Sequence, residues 1–430
     1  MFIIKPHQKT IFNILQEQIY DPNESYEKSV FQKVVVLEDC VLIENTLTGQ
    51  IIHLSADEYK HPSDDLIKSL VNNWYFIPVS LSPTSLNYIV KNVYKTKKMR
   101  NYNGAIDNFT IFTTTACNAS CGYCFEKGCN IQTMTTDVAD RVVEYIANNI
   151  GTFSANLQWF GGEPLLNHEI ITYICKKLMD RMIPFSSTMI SNGYLFNQIP
   201  DNIILRKWYL EHVQITLDGT ESEYNRIKQY KNQKNDGFYT VINNIHRLLD
   251  LDIKVSIRLN LSKDNFDDLK QLVQYLVSEF GTSIHVYAHP LFSDTNNPLS
   301  KDDWEEIYKN YIGLDSILVS NHLKNHINID LFKIEHCMAD DGHSICIGPT
   351  GKLTLCEHYV DDEVVGDIDN GITNSALVNS WKQKDVPFTH CTTCWRYPKC
   401  LHLKKCGDLE ECRQGYCKFF DYQEDAAIIS

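Results

Sequence analysis

The sequence has no apolar run that approaches the roughly 18–20 residues needed to cross a bilayer. Its first residues, Met1 to His7, lack the charged and then apolar pattern of a secretory signal. Basic residues are in the minority, with 40 Lys and Arg against 54 Asp and Glu and a formal net charge of −14. Because nucleic acids are bound through basic surface, they are disfavoured as the main partner. These absences predict a cytoplasmic protein with no membrane or nucleic-acid partner.

Cysteine, by contrast, is abundant, and the 430 residues include 15 of them. A disulfide framework suits small secreted domains, and this chain has neither the size nor the signal of one. The cysteines are clustered, with three in Cys117–Cys124 and nine in Cys337–Cys417. Clustered thiols in a reducing compartment indicate metal binding, whereas the isolated Cys40 and Cys175 are expected to be ordinary buried residues.

Residues 105–292 alternate strand and helix signals. Short β-rich apolar runs predict strands at Phe109–Thr115, Asn156–Phe160, Ser187–Ser191, Val213–Leu217, Val255–Leu261 and Ile284–Ala288. Helical patterns between them lie at Thr136–Ile150, Glu169–Met182, Asn202–Tyr209, Tyr239–Leu251 and Asp264–Phe280. Six βα units predict a parallel sheet covered by helices, and six are too few for a closed eight-stranded barrel. The expected fold is α/β, an open, partial (β/α)6 TIM-like barrel.

Other segments flank this barrel, which we place at residues 101–295. Residues 1–100 are expected to form a small α+β domain, in which Lys33–Glu44 and Gln50–Leu54 are strand-like around the turn Asn45–Gly49. Ser55–Glu58 in that domain is a capping box that opens a helix. Residues 296–335 are expected to be a helical bridge, and residues 336–430 a cysteine-rich domain.

Five polar or glycine-rich stretches follow the predicted strands in order. They are Cys117–Cys124, Gly161–Pro164, Ser191–Gly193, Thr216–Gly219 and Arg258–Asn260. Each by itself is also a common turn or strand-end sequence. In parallel α/β sheets, however, reactive groups lie at the carboxyl ends of the strands. Because all five would share that edge, together they predict a functional site there.

The three cysteines of Cys117–Cys124 are the most specific of these stretches. Thiolates bind zinc or iron–sulfur clusters. A structural zinc site is closed by four protein ligands, and this segment offers three within eight residues. A [4Fe–4S] cube has four irons that are usually all held by cysteine. With only three held, one iron keeps open coordination for a substrate or cofactor.

The spacing Cys-x3-Cys-x2-Cys, with Tyr123 before the last cysteine, resembles the signature of the radical S-adenosylmethionine (SAM) superfamily. The later motifs follow that family's order over residues 105–292. The resemblance implies that Cys117, Cys121 and Cys124 hold a [4Fe–4S] cluster whose fourth iron binds SAM. It also implies that one electron from the cluster cleaves SAM to methionine and a 5′-deoxyadenosyl radical, which abstracts hydrogen from an unactivated carbon.

The same resemblance implies a set of SAM contacts at the strand ends. Glu163 would accept from the SAM ammonium, and the glycines before it would let the backbone approach closely. Thr216 stands where the family often has serine, and it keeps the hydroxyl. Arg258 or Arg226 would lie near the SAM carboxylate, with strand-end capping as the alternative for Arg258. The implied contacts are Tyr123, Gly161, Gly162, Glu163, Ser191, Asn192, Thr216, Asp218 and Arg258.

The C-terminal cysteines resemble the SPASM extension, which in its full form carries two auxiliary [4Fe–4S] clusters. By that pattern the first cluster takes Cys337, Cys346, Cys356 and Cys406, and the second takes Cys391, Cys394, Cys400 and Cys417, with Cys412 as a spare or alternative ligand. The chain departs from the pattern in its wider spacing before Cys406 and in offering nine candidates for eight places. A pair of zinc sites is the alternative, because Cys-x2-Cys runs often bind zinc.

SPASM proteins mostly modify peptides or proteins. Sulfatase maturases, which form formylglycine, usually begin near the radical SAM motif. Maturases of ribosomally made peptides, such as sactipeptide synthases, often carry an N-terminal region that docks a leader peptide. Residues 1–100 resemble such a region weakly and would accept an extended peptide by strand addition, with a structural cap as the alternative.

The expected activity is therefore hydrogen abstraction from a precursor peptide, leader plus core, followed by a thioether cross-link from cysteine to carbon. Flavodoxin or ferredoxin is the expected electron donor. Formylglycine formation, carbon–carbon cross-linking and epimerisation remain open. A multi-zinc interaction protein without catalysis is the alternative from a different functional class.

A base near the substrate is also expected, because radical formation on carbon often accompanies loss of a proton. Glu357 directly follows Cys356. Sulfatase maturases resemble this segment but carry an aspartate there that acts as the base. Glu357 is therefore the candidate base, and a surface acid beside a cluster ligand is the alternative.

Overall fold

The computed structural model describes residues 1–7, 15, 18–81, 85, 105–124, 126, 128, 130–151, 154–231, 236–291, 299–324, 338–359 and 362–382. Its N-terminal part contains a four-stranded antiparallel sheet in the order β1-β5-β4-β3 and a two-stranded sheet of β2 and β6. The strands are β1 Phe2–Lys5, β2 Tyr26–Lys28, β3 Gln32–Val36, β4 Cys40–Asn45, β5 Ile51–Ser55 and β6 Phe76–Pro78.

The predicted turn Asn45–Gly49 joins β4 to β5, and Gly49 takes the left-handed conformation with φ of 72°. The stretch Lys33–Glu44, predicted as one strand-like run, is instead divided between β3 and β4, which pair antiparallel. The division falls at Glu38 and Asp39. Leu37 N donates to Cys40 O at 2.8 Å and closes a tight turn around these two acids. Two consecutive acids favour this turn over a continuous strand.

The predicted capping box is present at the start of α1 (Ala56–Lys60). Ser55 Oγ accepts from Glu58 N at 3.1 Å, and Glu58 Oε2 accepts from Ser55 N at 2.9 Å. A second helix, α2 (Asp64–Asn72), packs its buried leucines against the four-stranded sheet. The N-terminal part therefore has its own small core.

A ten-stranded sheet forms the rest of the framework, in the order β12-β11-β10-β9-β8-β7-β13-β14-β15-β16. Strands β7 to β12 are parallel to one another, which confirms the predicted parallel sheet of six strands. These strands are β7 Asn108–Thr114, β8 Ala155–Gly161, β9 Phe185–Ser191, β10 Leu210–Thr216, β11 Lys254–Leu261 and β12 His285–Pro290.

Helices connect and cover these strands, and the alternating pattern predicts most of them. They are α3 Thr136–Asn149, α4 His168–Asp180, α5 Asp201–Arg206, α6 Glu221–Lys228, α7 Gly237–Asp250, α8 Phe266–Phe280 and α9 Lys301–Ser320. Their apolar faces join one large core with the strands, in which Trp159, Trp208 and Trp304 are fully buried. None of the helices within the described ranges is both long and apolar enough to cross a bilayer.

Four short strands extend the sheet beyond the first parallel strand. β13 (Ser344–Ile347) pairs parallel with β7, and β14 (Lys352–Thr354), β15 (Gly366–Asp367) and β16 (Gly371–Ile372) add antiparallel to it. The short helices α10 (Met338–Asp341) and α11 (Ser375–Lys382) flank them. The described residues after 337 therefore continue the large sheet, and the predicted domain boundaries stay predictions.

Candidate functional site

The three clustered cysteines lie on the loop that follows β7, at the carboxyl edge of the sheet. Cys117, Cys121 and Cys124 are all half-buried free thiols. Ala119 N donates to Cys117 Sγ at 3.4 Å. Burial raises the pKa of the Cys117 thiol to about 12 and also raises that of Cys124. Because metals bind the thiolate, a metal would have to displace these protons.

The structure gathers these thiols on one loop without drawing them around one point. Within the described ranges, no three Cys, His, Asp or Glu side chains converge closely enough to hold a metal ion. In a [4Fe–4S] cube each cysteine binds a different iron, so its ligands stand further apart than those of a single ion.

The Gly161–Gly162 pair lets the end of β8 approach the start of the cysteine loop. Gly162 N donates to Thr114 O at 3.1 Å, and Glu163 N donates to Ala116 O at 2.9 Å. A Cβ on Gly162 would lie 2.4 Å from Ala116 O, and one on Gly161, where φ is +129°, would lie 2.1 Å from Thr114 O. Only glycine permits this contact, which fixes the cysteine loop to the neighbouring strand.

Glu163 is fully buried beneath this contact, and its carboxylate already has protein donors. Ser191 Oγ donates to Oε1 at 2.9 Å, Asn192 N to Oε2 at 2.8 Å, and Leu165 N to Oε1 at 3.1 Å. Burial raises the pKa of Glu163 to about 7, against these hydrogen bonds, which lower it. The side chain therefore ties the end of β8 to the end of β9. Its predicted contact with the SAM ammonium stays a prediction.

Asn192 connects the end of β9 to the cysteine loop. Its Nδ2 donates to Asn118 Oδ1 at 2.7 Å and lies 3.9 Å from Cys117 Sγ. The Ser191 hydroxyl, which donates to Glu163, also accepts from Gly193 N at 2.9 Å. The predicted motifs after β7, β8 and β9 are thus brought into direct contact with one another.

Asp218, two residues past β10, is the centre of a second polar network. Its Oδ2 accepts from Tyr123 Oη at 2.7 Å and lies 2.7 Å from Lys228 Nζ. Its Oδ1 accepts from Asn260 Nδ2 at 2.9 Å, and Asn260 Oδ1 accepts from Arg258 Nε at 3.0 Å. Residues from the cysteine loop, β10, β11 and α6 therefore meet at one carboxylate.

The other predicted contacts lie around this network. Thr216 ends β10 and pairs in register with Arg258. Arg226 forms an ion pair with Glu223, one helical turn away. A cavity of about 320 Å³, within the size range of ligand pockets, is lined in part by Tyr123, Asp218 and Arg226. It therefore opens beside both the cysteine loop and the strand ends.

Lys228 is the site residue that sequence reasoning missed. Its side chain is only 4% exposed, and it ends α6, a helix that the sequence also failed to predict. The helix carries few apolar residues, so its amphipathic signal is weak. Only its position after the Thr216–Gly219 motif would have hinted that a charged residue there returns to the site.

Of the C-terminal candidates, the structure describes Cys346, Cys356 and Glu357. Cys346 is buried on β13, where burial raises the pKa of its thiol and the nearby Glu357 and Cys356 add to the effect. Burial lowers the pKa of His289, at the end of β12, to about 4, with contributions from Arg258 and His358. His358, next to Glu357, therefore lies near Arg258 and His289 at the strand ends. The other predicted auxiliary-cluster ligands, Cys337, Cys391, Cys394, Cys400, Cys406, Cys412 and Cys417, lie outside the described residues.

Solved structures of low sequence identity share this fold. A histidine-tagged form of anSMEcpe with bound AdoMet is 16% identical with a TM-score of 0.60, over 75% of this chain and 98% of that one. A further structure of anSMEcpe holds AdoMet and the Cp18Cys peptide, at a TM-score of 0.58 and 16% identity over the same shares of the two chains. SuiB of Streptococcus suis bound to its precursor peptide SuiA has a TM-score of 0.50 and 15% identity, over 87% and 94% of the two chains. At these identities the likeness concerns the fold alone.

The sequence comparisons agree with the fold. No curated protein sequence matches the chain. The model of the radical SAM superfamily matches residues 111–276, which run from within β7 to within α8 and include the cysteine loop and all five strand-end motifs. Residues 111–276 of this chain therefore form a radical SAM domain.

Proposed function

We propose that the chain is a radical SAM enzyme that modifies a peptide. The observation that carries the proposal is the loop of Cys117, Cys121 and Cys124 at the carboxyl edge of the sheet, held there by the glycine contact from β8. In this proposal the three thiolates hold a [4Fe–4S] cluster and leave one iron for SAM.

Two buried polar atoms beside the thiols support this fit. Asn118 Nδ2 and Glu126 Oε1 have no hydrogen-bond partner among the described residues. Buried polar groups in native proteins are nearly always paired, so each calls for a bound group or water. Asn118 directly follows Cys117, and Glu126 lies two residues after Cys124. The donor set and the orphaned atoms are therefore compatible with a group bound at this loop.

Bound SAM would be held by the strand-end residues, Tyr123, Gly161, Gly162, Glu163, Ser191, Asn192, Thr216, Asp218 and Arg258. When bound, SAM and the reduced cluster supply a 5′-deoxyadenosyl radical, which takes one hydrogen atom from the substrate. The Asp218 network and the Glu163 contacts order the loop, and they would orient SAM there. Half-buried and buried side chains at the strand ends limit access of water to the reacting atoms.

The proposed substrate is a precursor peptide, and the proposed product is a thioether. Forming this bond removes two hydrogens: one leaves the carbon as an atom, one leaves the thiol as a proton, and one electron leaves the peptide. The Glu357 carboxylate is proposed to accept the proton. The C-terminal cysteines are proposed to hold an auxiliary cluster, which would supply an acceptor for that electron. A flavodoxin or ferredoxin would supply the electron that starts the reaction.

Two features support a peptide as substrate. The anSMEcpe and SuiB structures are described with a bound peptide and a bound precursor peptide. In the part of the N-terminal sheet that the structure describes, β1 is also an exposed edge strand, with Phe2 68% exposed. An open strand edge accepts an extended peptide through main-chain hydrogen bonds, so residues 1–100 are proposed to bind the leader.

The test compares the full chain with a Cys124→Ala variant after anaerobic reconstitution with iron and sulfide. Reduced wild-type protein with SAM should form 5′-deoxyadenosine, and Cys124→Ala should form none above background. Cys40→Ala removes a half-buried thiol on β4, well before the cysteine loop in the sequence, and should keep the activity. A colourless protein that binds zinc and no iron, or a Cys124→Ala variant with undiminished activity, would refute the proposal. Mass spectrometry of a co-expressed precursor peptide then separates thioether formation, which loses two hydrogens, from epimerisation, which loses none.

A further inference from the structure

A buried ion pair lies beside the cysteine loop. Lys228 Nζ is 2.7 Å from Asp218 Oδ2, and the two side chains are 4% and 1% exposed. Lys228 Nζ also donates to Tyr123 Oη at 3.2 Å, and Tyr123 lies between Cys121 and Cys124 in the chain. The ammonium therefore contacts the side chain of the residue that directly precedes Cys124 and lies two positions after Cys121.

Backbone contacts fix this lysine against the loop. Ser120 N, next to Cys121, donates to Lys228 O at 2.8 Å. Lys231 N donates to Asn118 O at 2.7 Å, and Lys231 Nζ donates to Cys117 O at 3.0 Å. Three hydrogen bonds therefore hold residues 228–231 along the cysteine loop. They fix the backbone of Lys228 relative to the loop that carries the thiols.

Lys228 keeps its charge at neutral pH. Burial opposes the charge, but Asp218, Tyr123 and Cys121 outweigh burial and hold the pKa of Lys228 well above that of an ordinary lysine. Charges interact more strongly in a buried environment than in water, because the local dielectric constant is lower. A fixed cation here therefore acts on any negative charge that the loop holds.

We propose that Lys228 is a positioning residue that raises the reduction potential of the iron–sulfur cluster at Cys117, Cys121 and Cys124, with Asp218 as its counter-charge. The inference rests on the proposed function, because it requires that cluster. Reduction adds one negative charge to the cluster. A nearby cation stabilises that added charge, and a nearby carboxylate opposes it.

This assignment predicts opposite effects for the two members of the pair. Lys228→Met removes the cation and leaves the carboxylate, so the potential should fall. Asp218→Asn leaves the cation without its counter-charge, so the potential should rise. The double variant should return toward the wild-type value, and Lys228→Arg, which keeps the charge, should stay near it. A purely structural role would give shifts unrelated to the sign of the removed charge.

The experiment is a redox titration of the full-length, anaerobically reconstituted protein without SAM, followed by electron paramagnetic resonance. The signal of this site is the one absent from the Cys117→Ala/Cys121→Ala/Cys124→Ala protein. Lys228→Met should change the reduction equilibrium at least tenfold, which is 59 mV for one electron. Lys324→Met is the matched control, because it breaks another buried lysine–aspartate pair, on a segment beside the amino end of β12. It should leave the potential unchanged.

Shifts of the same sign in Lys228→Met and Asp218→Asn, or no shift in either, would overturn the inference. If Lys228→Met fails to assemble the cluster, Asp218→Asn alone decides, since a potential that falls or does not move refutes the assignment. If the triple alanine variant shows every signal of the wild-type protein, the proposed function itself fails. This outcome is distinguishable from failure of the inference alone.

Discussion

Substituting Gly162 by alanine tests the contact that places the cysteine loop. The added Cβ would lie 2.4 Å from Ala116 O and 2.6 Å from Thr115 O. Real Cβ contacts essentially never fall below 3.0 Å, so the chain must move by more than half an ångström. Both obstructing atoms are backbone, and the same segments share the hydrogen bonds of Gly162 N and Glu163 N. No rotamer change relieves the clash, so the loop itself must be displaced.

Overpacking of this kind costs about 1–3 kcal/mol of unfolding free energy. Urea unfolding followed by tryptophan fluorescence measures that loss, and iron and sulfide analysis measures the effect on the loop. The matched control is Gly122→Ala, in the same loop, where a Cβ would meet nothing within 4 Å. Its stability should be unchanged or higher by about 0.4–1 kcal/mol, because alanine restricts the unfolded chain. A Gly162→Ala protein with wild-type stability and iron content would refute the argument.

Two further predictions concern charge in the fold. Burial lowers the pKa of His289 to about 4, so between about pH 4 and 6.5 its imidazole is protonated in the unfolded state and neutral in the folded state. The free energy of unfolding should therefore rise with pH across this window. His289→Gln should remove this part of the pH profile, measured by urea unfolding. Lys324→Met should lower the free energy of unfolding by about 3–5 kcal/mol, because it leaves Asp315 buried without its cation. Lys270→Met, which breaks an exposed pair with Asp267, should lower it by under about 1 kcal/mol. Equal losses in the two lysine variants would contradict that reasoning.

The strands and most helices of the domain could be predicted because their signals are local. The predicted run Val255–Leu261 is nearly identical with β11, and it alternates buried and half-buried residues as far as Leu259. The pairing of β13 with β7 could not be predicted, because Ser344 meets Asn108 across more than two hundred residues and β13 has only four. Short strands carry little periodic signal, and their register is decided by tertiary packing.

The location of the site was predictable because its motifs directly follow the parallel strands in the sequence. The motifs after β7, β8 and β9 do meet at one edge, because parallel neighbours in sequence order place their ends together. The internal hydrogen bonds of the motifs were not predictable. Glu163 was expected to face a ligand, yet its oxygens accept from Ser191, Asn192 and Leu165. A residue's type gives its chemistry, but the partner that satisfies it is chosen by the fold.

Asp218 illustrates this distinction. The hydrogen bonds that its carboxylate already accepts limit how many it could accept from SAM. A carboxylate oxygen accepts about two hydrogen bonds. Oδ2 already accepts from Tyr123 and lies against the Lys228 ammonium, so it is saturated. Among the described residues, Oδ1 accepts only from Asn260. One acceptor position therefore remains on Oδ1, and the proposed contact with a hydroxyl of SAM would use it. The same carboxylate would thus serve two purposes, since Oδ1 would orient SAM while Oδ2 holds the lysine whose charge acts on the cysteine loop.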